Sequence, residues 1–375
     1  MQITILDTTL RDGEQSPGVA LRPADKPEIA KSLDRMGVNV IEAGFAITSP
    51  GEREGMRLVA KAGLRAEICG LARAEKSDID ETLETGIKCV HIFLATSDIH
   101  LRDKLRMTQE EVLQKADSAV AYAKSMGMKV EFSAEDATST DTGFLKEVYR
   151  TAAKAGADRI DIPDTLGRAT PKHMAHLIRE MRSAVDLPIS VHCHNDFGLA
   201  VANSIAAVEA GAQCVHVTVN GVGERAGNAA LEEVVGILNH LKLDEEYSTS
   251  VDLKGVYEVS QLVSRLYGMP VQPNKAIVGA NAFSHESGIH THGIVNNPKT
   301  YQFVSPESFG RETTIVNGKH SGVHGVEATL RKYGINAPRE ELMAILDMIK
   351  IAGDDGRSVG DAEVVAMAMK VENGR

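Results

Sequence analysis

In the segment ISVHCHND, His192 and His194 stand two residues apart. On a β-strand that spacing puts both imidazoles on one face, where they can share a metal ion. Asp12, in LDTTLRDGEQ, adds a carboxylate. One carboxylate with two imidazoles leaves coordination positions open for a substrate that chelates through oxygen. Arg11 offers a guanidinium fork for a substrate carboxylate and a cation for developing enolate charge. The plain alternatives are two satisfied histidines in a polar pocket and an ion-paired arginine. Asn228, in NGVGERAGN, reads two ways: a contact to the same ion, directly or through water, or the N-cap of the helix AALEEVVGILNHL. Glu135, in EFSAED, is a candidate for proton handling or for positioning a catalytic group, with a solvated loop carboxylate as the alternative. Gly221, Gly223 and Gly227 are spaced GxGxxxG, which does not match a dinucleotide fingerprint. Backbone N–H groups in that loop, with Arg225 nearby, suit the phosphates or thioester of a bound cofactor, or else form a tight turn. His285, His290, His292, His320 and His324 gather later without regular ligand spacing, and one of them could serve as a general base.

These residues need a scaffold that brings them to one place. Eight short β-rich apolar runs recur: Ile3–Thr8, Val40–Phe45, Glu67–Ala72, Cys89–Thr96, Lys129–Asp136, Arg159–Thr165, Ile189–His194 and Cys214–Gly221. Between them lie Ala-, Glu-, Lys- and Leu-rich stretches with helical spacing, among them Pro23–Met36, Gln109–Met126, Phe144–Ala155, Pro171–Val185 and Ala200–Ala210. Several end through Gly just before the next strand. Eight strand–helix units over roughly 220 residues have the size of a closed (β/α)8 TIM barrel rather than a doubly wound sheet. Such a barrel places chemistry at the C-terminal ends of its strands, where the candidates fall: Asp12 and Glu14 after the first, Ser97 and His100 after the fourth, Glu135 and Asp136 at the end of the fifth, Asp164 and Thr165 at the sixth, His192 and His194 at the seventh, and Asn220 to Asn228 at the eighth. The predicted division is a catalytic α/β barrel over 1–270 and a mainly helical C-terminal region over 271–375, with helices at Gly325–Tyr333, Arg339–Ala352 and Asp361–Val371.

Bulk properties narrow the function. A net charge of -11 without a basic stripe opposes nucleic-acid binding, which needs clustered Lys and Arg. Apolar content of 43% without a run near eighteen residues opposes a membrane span, and the N-terminus lacks a signal-peptide pattern, so the chain reads as cytoplasmic. Cys69, Cys89, Cys193 and Cys214 lie in or beside apolar runs and are expected to be buried free thiols.

Taken together, DTTLRDGEQSPG, EFSAEDAT, IPDTLG, HCHNDFGLAVANS, NGVGERAGNAALEEV, NKAIVGANAFSHESGIHTHG and GKHSG run in order along nearly the whole chain. In this it resembles the metal-dependent acyl-CoA condensing synthases with an aldolase-like barrel (2-isopropylmalate, homocitrate and citramalate synthases), and most resembles the first. The resemblance implies a Claisen-type condensation of acetyl-CoA with a 2-oxo acid, followed by thioester hydrolysis. It implies Asp12, His192 and His194 as ligands of a divalent metal (Mn, Mg, Co or Zn), with Asn228 as an associated ligand. Arg11 becomes the electrostatic catalyst and Glu135 an acid–base or positioning group. Substrate contacts would come from Arg11, Gln15, Leu71, His100, Ser133 and Thr165, and acetyl-CoA contacts from Gly221, Gly223, Glu224 and Arg225. His290, assisted by Tyr301, would reach the partner's barrel mouth in a homodimer with shared active sites. Leu71 stands where lysine-pathway homocitrate synthases carry a histidine, and an apolar side chain there favours an apolar substrate tail. The expected substrate is therefore 3-methyl-2-oxobutanoate, as in leucine biosynthesis; pyruvate and 2-oxoglutarate are the alternatives. Outside this class stand a metal-dependent aldolase or lyase on the same barrel, and a barrel that binds a metabolite without turnover. The chain is expected to carry no C-terminal leucine-sensing regulatory domain.

Overall fold

The computed structural model describes residues 1–241, 243 and 246–374. It divides into two compact units, Met1–Val271 and Gln272–Arg375. In the first, eight parallel strands close into a barrel in sequence order. They are β1 (Thr4–Asp7), β2 (Val40–Phe45), β3 (Glu67–Arg73), β4 (Cys89–Ala95), β5 (Lys129–Glu135), β6 (Arg159–Asp164), β7 (Ile189–Cys193) and β8 (Cys214–Val217). The barrel closes where β1 pairs with β8, from Thr4 opposite Cys214 to Asp7 opposite Val217. Helices α1 (Lys26–Arg35), α2 (Pro50–Ala60), α3 (Lys76–Glu84), α4 (Gln109–Ser125), α5 (Thr142–Ala155), α6 (Pro171–Arg182), α7 (Ala200–Glu209) and α8 (Leu231–His240) follow the strands in turn, and α9 (Val256–Tyr267) completes the unit.

Local chemistry starts and stops these helices. Ser49, Thr108, Asp141 and Thr170 each accept a backbone N–H at a helix N-terminus, and Thr108 and Glu111 form a reciprocal capping box. Pro50 and Pro171 occupy first-turn positions, where their missing N–H costs nothing.

The expected strands lie within a residue of those observed, except the eighth. It ends at Val217 instead of Gly221, and a 3-10 turn covers Val219–Gly221. There Asn220 takes a left-handed conformation (φ 61), and Thr218 Oγ1 donates to the Val222 carbonyl at 2.6 Å, so the backbone folds back on itself.

At the barrel floor Leu6, Val40, Cys69, Cys89 and Cys214 pack as one buried layer, with the Arg159 guanidinium 3.8 Å from Cys89 Sγ. All four cysteines are buried and unpaired, and burial pushes the Cys69 and Cys193 thiols upward in pKa. Beside the mouth, Lys26 is buried as well. Its ammonium sits 2.8 Å from Glu14 and 2.7 Å from Glu52, and donates to the carbonyls of Leu10 and Ala43. Two carboxylates and two carbonyls replace the water it loses, and the loops after β1 and β2 are joined through it.

In the second unit, β9 (Ser284–His285) and β10 (Thr314–Ile315) form a short parallel pair, and α10 (Gly288–Asn296) lies between them in sequence. Helices α11 (Val323–Lys332), α12 (Arg339–Asp354) and α13 (Asp361–Asn373) share a core that includes Val326, Leu330, Ile345, Ile349 and Val364. Each side chain buried there contributes about 1.5–3 kcal/mol of transfer free energy.

Candidate active site

The carboxyl ends of the strands converge on a cavity of about 290 Å³. One side is apolar, made by Phe45, Leu71, Phe93 and Pro163; the other carries Arg11, Gln15, His91, Ser133, Glu135, Asp161, Thr165, His192 and Glu224. Arg11, Gln15, Leu71, Ser133, Glu135, Thr165 and Glu224 are thus brought together from five parts of the sequence. His100 is not among the lining residues; it stands behind Glu135, its Nε2 3.7 Å from a Glu135 oxygen.

At the edge of the cavity Asp12, His192 and His194 meet, all buried. His192 Nε2 is 3.4 Å from His194 Nε2, and Asp12 Oδ2 lies 3.6 and 3.9 Å from the two ring nitrogens. Tetrahedral ligands at zinc-like bond lengths of about 2.0–2.1 Å stand about 3.4 Å apart, so this spacing suits a small divalent ion. The convergent donors are His192 Nε2, His194 Nε2 and Asp12 Oδ2, and Asn228 Oδ1 beside them is buried without a hydrogen-bond partner, a set that suits metal coordination. Burial, reinforced by the His194 charge, pushes the His192 imidazole well below its usual range, and burial lowers His194 too. Both shifts run toward the neutral form that a metal ligand needs. Burial opposes the charge on Asp12, but Arg11, His192 and His194 outweigh it and hold the carboxyl well below the usual carboxylate range.

Asn228 does not cap the helix after β8. The cap position belongs to Ala230, without a side-chain bond, because the Asn228 amide is spent elsewhere: its Nδ2 donates to Asp12 Oδ1 at 2.7 Å and to the Val222 carbonyl at 3.1 Å. The glycine loop has a tight packing reason of its own. A Cβ on Gly223 would stand 2.1 Å from Asn228 Nδ2 and 2.7 Å from Asp12 Oδ1, and one on Gly227 would meet the Gly221 carbonyl at 1.9 Å. Arg225 is engaged at the rim, pairing with Asp196 at 2.8 Å and donating to the Thr165 carbonyl at 2.8 Å.

Arg11 is set from below. Its Nε donates to Glu42 at 2.6 Å and its Nη1 to Asp12 at 2.6 Å, while His91 Nδ1 lies 2.8 Å from the other Glu42 oxygen. Burial opposes the Glu42 charge, yet Arg11 and His91 bring its carboxyl down to about 2. Under the cavity a second cluster joins Glu131, Asp161 and His216. His216 Nε2 is 3.0 Å from Glu131, and Arg159 donates to the other Glu131 oxygen at 2.6 Å. Burial opposes a charge on His216, but Asp161 and Glu131 outweigh it and raise the imidazole well above its usual range. With Arg159 and an imidazolium present, this cluster has its own cations and reads as an internal ion-pair network. Sequence reasoning missed His91, Asp161 and His216. Their signal was the inward phase of the alternation along β4, β6 and β8, in which His91 and Phe93, Asp161 and Pro163, and Cys214 and His216 fall on the same face.

His290 and Tyr301 lie in the second unit, with rings stacked 4.1 Å apart and both exposed.

Among the described residues no helix is long and apolar enough to cross a membrane. Residues 2–263 match the HMGL-like family, and residues 277–357 match the homocitrate synthase post-HMGL domain-like family. The chain is 52% identical over 99% of its length to a probable 2-isopropylmalate synthase of Methanopyrus kandleri, covering 74% of that protein. It is also 52% identical, over 99% of its length, to the (R)-citramalate synthase CimA of Methanocaldococcus jannaschii, covering 75% of it. The crystal structure of the HMG-CoA lyase of Bacillus subtilis shares the fold, with a TM-score of 0.64 and 20% identity over 72% of this chain and 95% of that one.

Proposed function

The chain belongs to the HMGL-like family, among its 2-isopropylmalate and citramalate synthases, and from that premise we propose that it condenses acetyl-CoA with 3-methyl-2-oxobutanoate, giving 2-isopropylmalate and CoA. The observation that carries the substrate reading is the wall of Phe45, Leu71, Phe93 and Pro163, which suits a branched apolar tail. A distal carboxylate, as in 2-oxoglutarate, would need its own cation. The lining arginine, Arg11, already pairs with Asp12 and Glu42.

Asp12, His192 and His194 would hold the divalent ion, with Asn228 alongside. When bound there, the ion supplies a Lewis acid for the 2-oxo acid's carbonyl. Arg11, its Nε and Nη1 fixed by Glu42 and Asp12, directs its remaining N–H groups to oxygens on which charge develops. Thr165 and Gln15 orient the oxo acid, and the loop at Gly221, Gly223, Glu224 and Arg225 receives the thioester. Glu135 handles a proton at the rim. The acetyl methyl group gives up a proton, its carbon bonds to the keto carbon, the keto oxygen takes up a proton, and water cleaves the thioester to release CoA. His290 and Tyr301 are proposed to assist in a homodimer.

Pyruvate as the oxo acid is the second reading, favoured by the equal identity to the citramalate synthase of M. jannaschii. A panel of 3-methyl-2-oxobutanoate, pyruvate and 2-oxoglutarate, with free CoA measured through a thiol reagent, decides among them. The highest kcat/KM is expected for 3-methyl-2-oxobutanoate. A preference for either other acid overturns the substrate reading, and cleavage of a hydroxy acid or hydroxyacyl thioester without condensation turns the protein into a lyase.

A further inference from the structure

Glu135 closes β5 at the cavity rim, and its carboxylate is clamped by one short segment. Residues His100–Leu105, after β4, form a π-turn in which the Arg106 N–H reaches back five residues to the Leu101 carbonyl. Arg106 ends the turn in a left-handed conformation (φ 55). His100 and Lys104, four apart, present one face to Glu135. Lys104 Nζ bonds both of its oxygens, at 2.6 and 2.8 Å, and His100 Nε2 stands 3.7 Å from one of them.

The imidazole is anchored on its other side. His100 Nδ1 is 2.7 Å from Ser97 Oγ and 3.4 Å from Asp136 Oδ2. Asp136 is fully buried, sits in left-handed backbone (φ 63), and has no hydrogen-bond partner on either carboxylate oxygen. A buried carboxylate left so is costly, and His100 is the neighbour placed to offset that cost. The side chains therefore alternate in sign potential from the interior to the rim: Asp136, His100, Glu135, Lys104. The Lys104 ammonium is about half exposed, with a relative side-chain accessibility of 49%. An ion pair so exposed adds little to fold stability, so its main effect falls on Glu135. A π-turn is a rare device that recurs at functional sites.

We propose that His100 and Lys104 are positioning residues: the π-turn clamps the Glu135 carboxylate at the rim in the orientation from which it exchanges a proton with bound substrate, and Asp136 orients His100 in turn. This rests on the functional reading above, in which Glu135 handles that proton.

The test compares CoA release by wild type, Lys104→Met, Lys104→Arg, His100→Gln and, as a control on the same turn, Arg102→Met. Arg102 pairs with Asp103 and serves neither Glu135 nor the cavity. Lys104→Met and His100→Gln are each expected to lower kcat about tenfold, a fraction of what acid–base catalysis contributes. KM for the oxo acid should stay within about twofold, since neither residue lines the cavity. Lys104→Arg should recover most of kcat, and Arg102→Met should match wild type. Wild-type kcat in Lys104→Met or His100→Gln, or a Lys104→Arg no better than Lys104→Met, overturns the proposal alone. A wild type that releases no CoA with any oxo acid, or a Glu135→Gln that keeps the wild-type rate, overturns the functional reading on which the proposal stands.

Discussion

Two clusters in the same barrel are built from the same residue types. Asp12, His192 and His194 meet at the mouth; Glu131, Asp161 and His216 meet a layer below. What separates them is how each negative charge is answered. In the lower cluster Arg159 bonds Glu131, and His216 is held protonated between two carboxylates, so the charges close on one another. At the mouth the two imidazoles are pushed the other way, toward neutrality, and Arg11 covers a single oxygen of Asp12. Residue type alone does not make a metal site. Two carboxylates around one imidazole make a salt-bridge network; one carboxylate facing two imidazoles leaves room for a cation.

The largest effect that would test this contrast is on the mouth. His194→Ala should bind Mn(II) far more weakly in calorimetry and lose about 1000-fold or more in kcat, the equivalent of several kcal/mol of transition-state stabilisation, with little change in unfolding temperature. Near-wild-type turnover would erase the distinction between the clusters. Glu131→Gln should do the reverse. It leaves Arg159 with Glu67 alone and His216 with Asp161 alone, costing about 3 kcal/mol of stability in a denaturant titration, while the folded fraction keeps its metal affinity. Loss of Mn(II) binding at full stability would mean that the lower cluster is the ion site.

Acid should produce the smallest change near neutrality and a growing one below it. Because the folded carboxyl of Glu42 is depressed to about 2, its contribution is present above its unfolded pKa of about 4.5 and is lost as pH falls from there toward 2. Glu131, lowered further by Arg159 and His216 against its burial, acts in the same sense. Through these two carboxylates the chemical unfolding midpoint is expected to drop as pH falls from about 4.5 downward; a midpoint still level at pH 3 would show that neither carboxylate stabilises the fold.

How much of this was legible in the sequence follows the same division. Asp12, His192 and His194 could be read because a period of two and a strand end give a local rule for where a side chain points. The barrel could be read because eight apolar runs alternate with helical spacing. Asn228 could not be resolved, since capping a helix and contacting an ion ask for the same amide; its bonds to Asp12 and Val222 decide against the cap. His91, Asp161 and His216 stayed hidden because runs buried on both faces give no contrast between inside and outside, and their partners Glu42 and Glu131 lie 49 and 85 residues away in sequence. The two-residue strands β9 and β10 are too short for any periodicity to register.

The floor of the barrel gives the protein a clock of its own. Cys69, Cys89 and Cys214 line that floor and Cys193 lies buried in β7, all as unpaired thiols. A thiol-reactive dye in neutral solution can reach them only when the strands part. Its rate of incorporation therefore counts openings of the barrel without any engineered label, and a ligand that closes the mouth will register as a slower count at the opposite end.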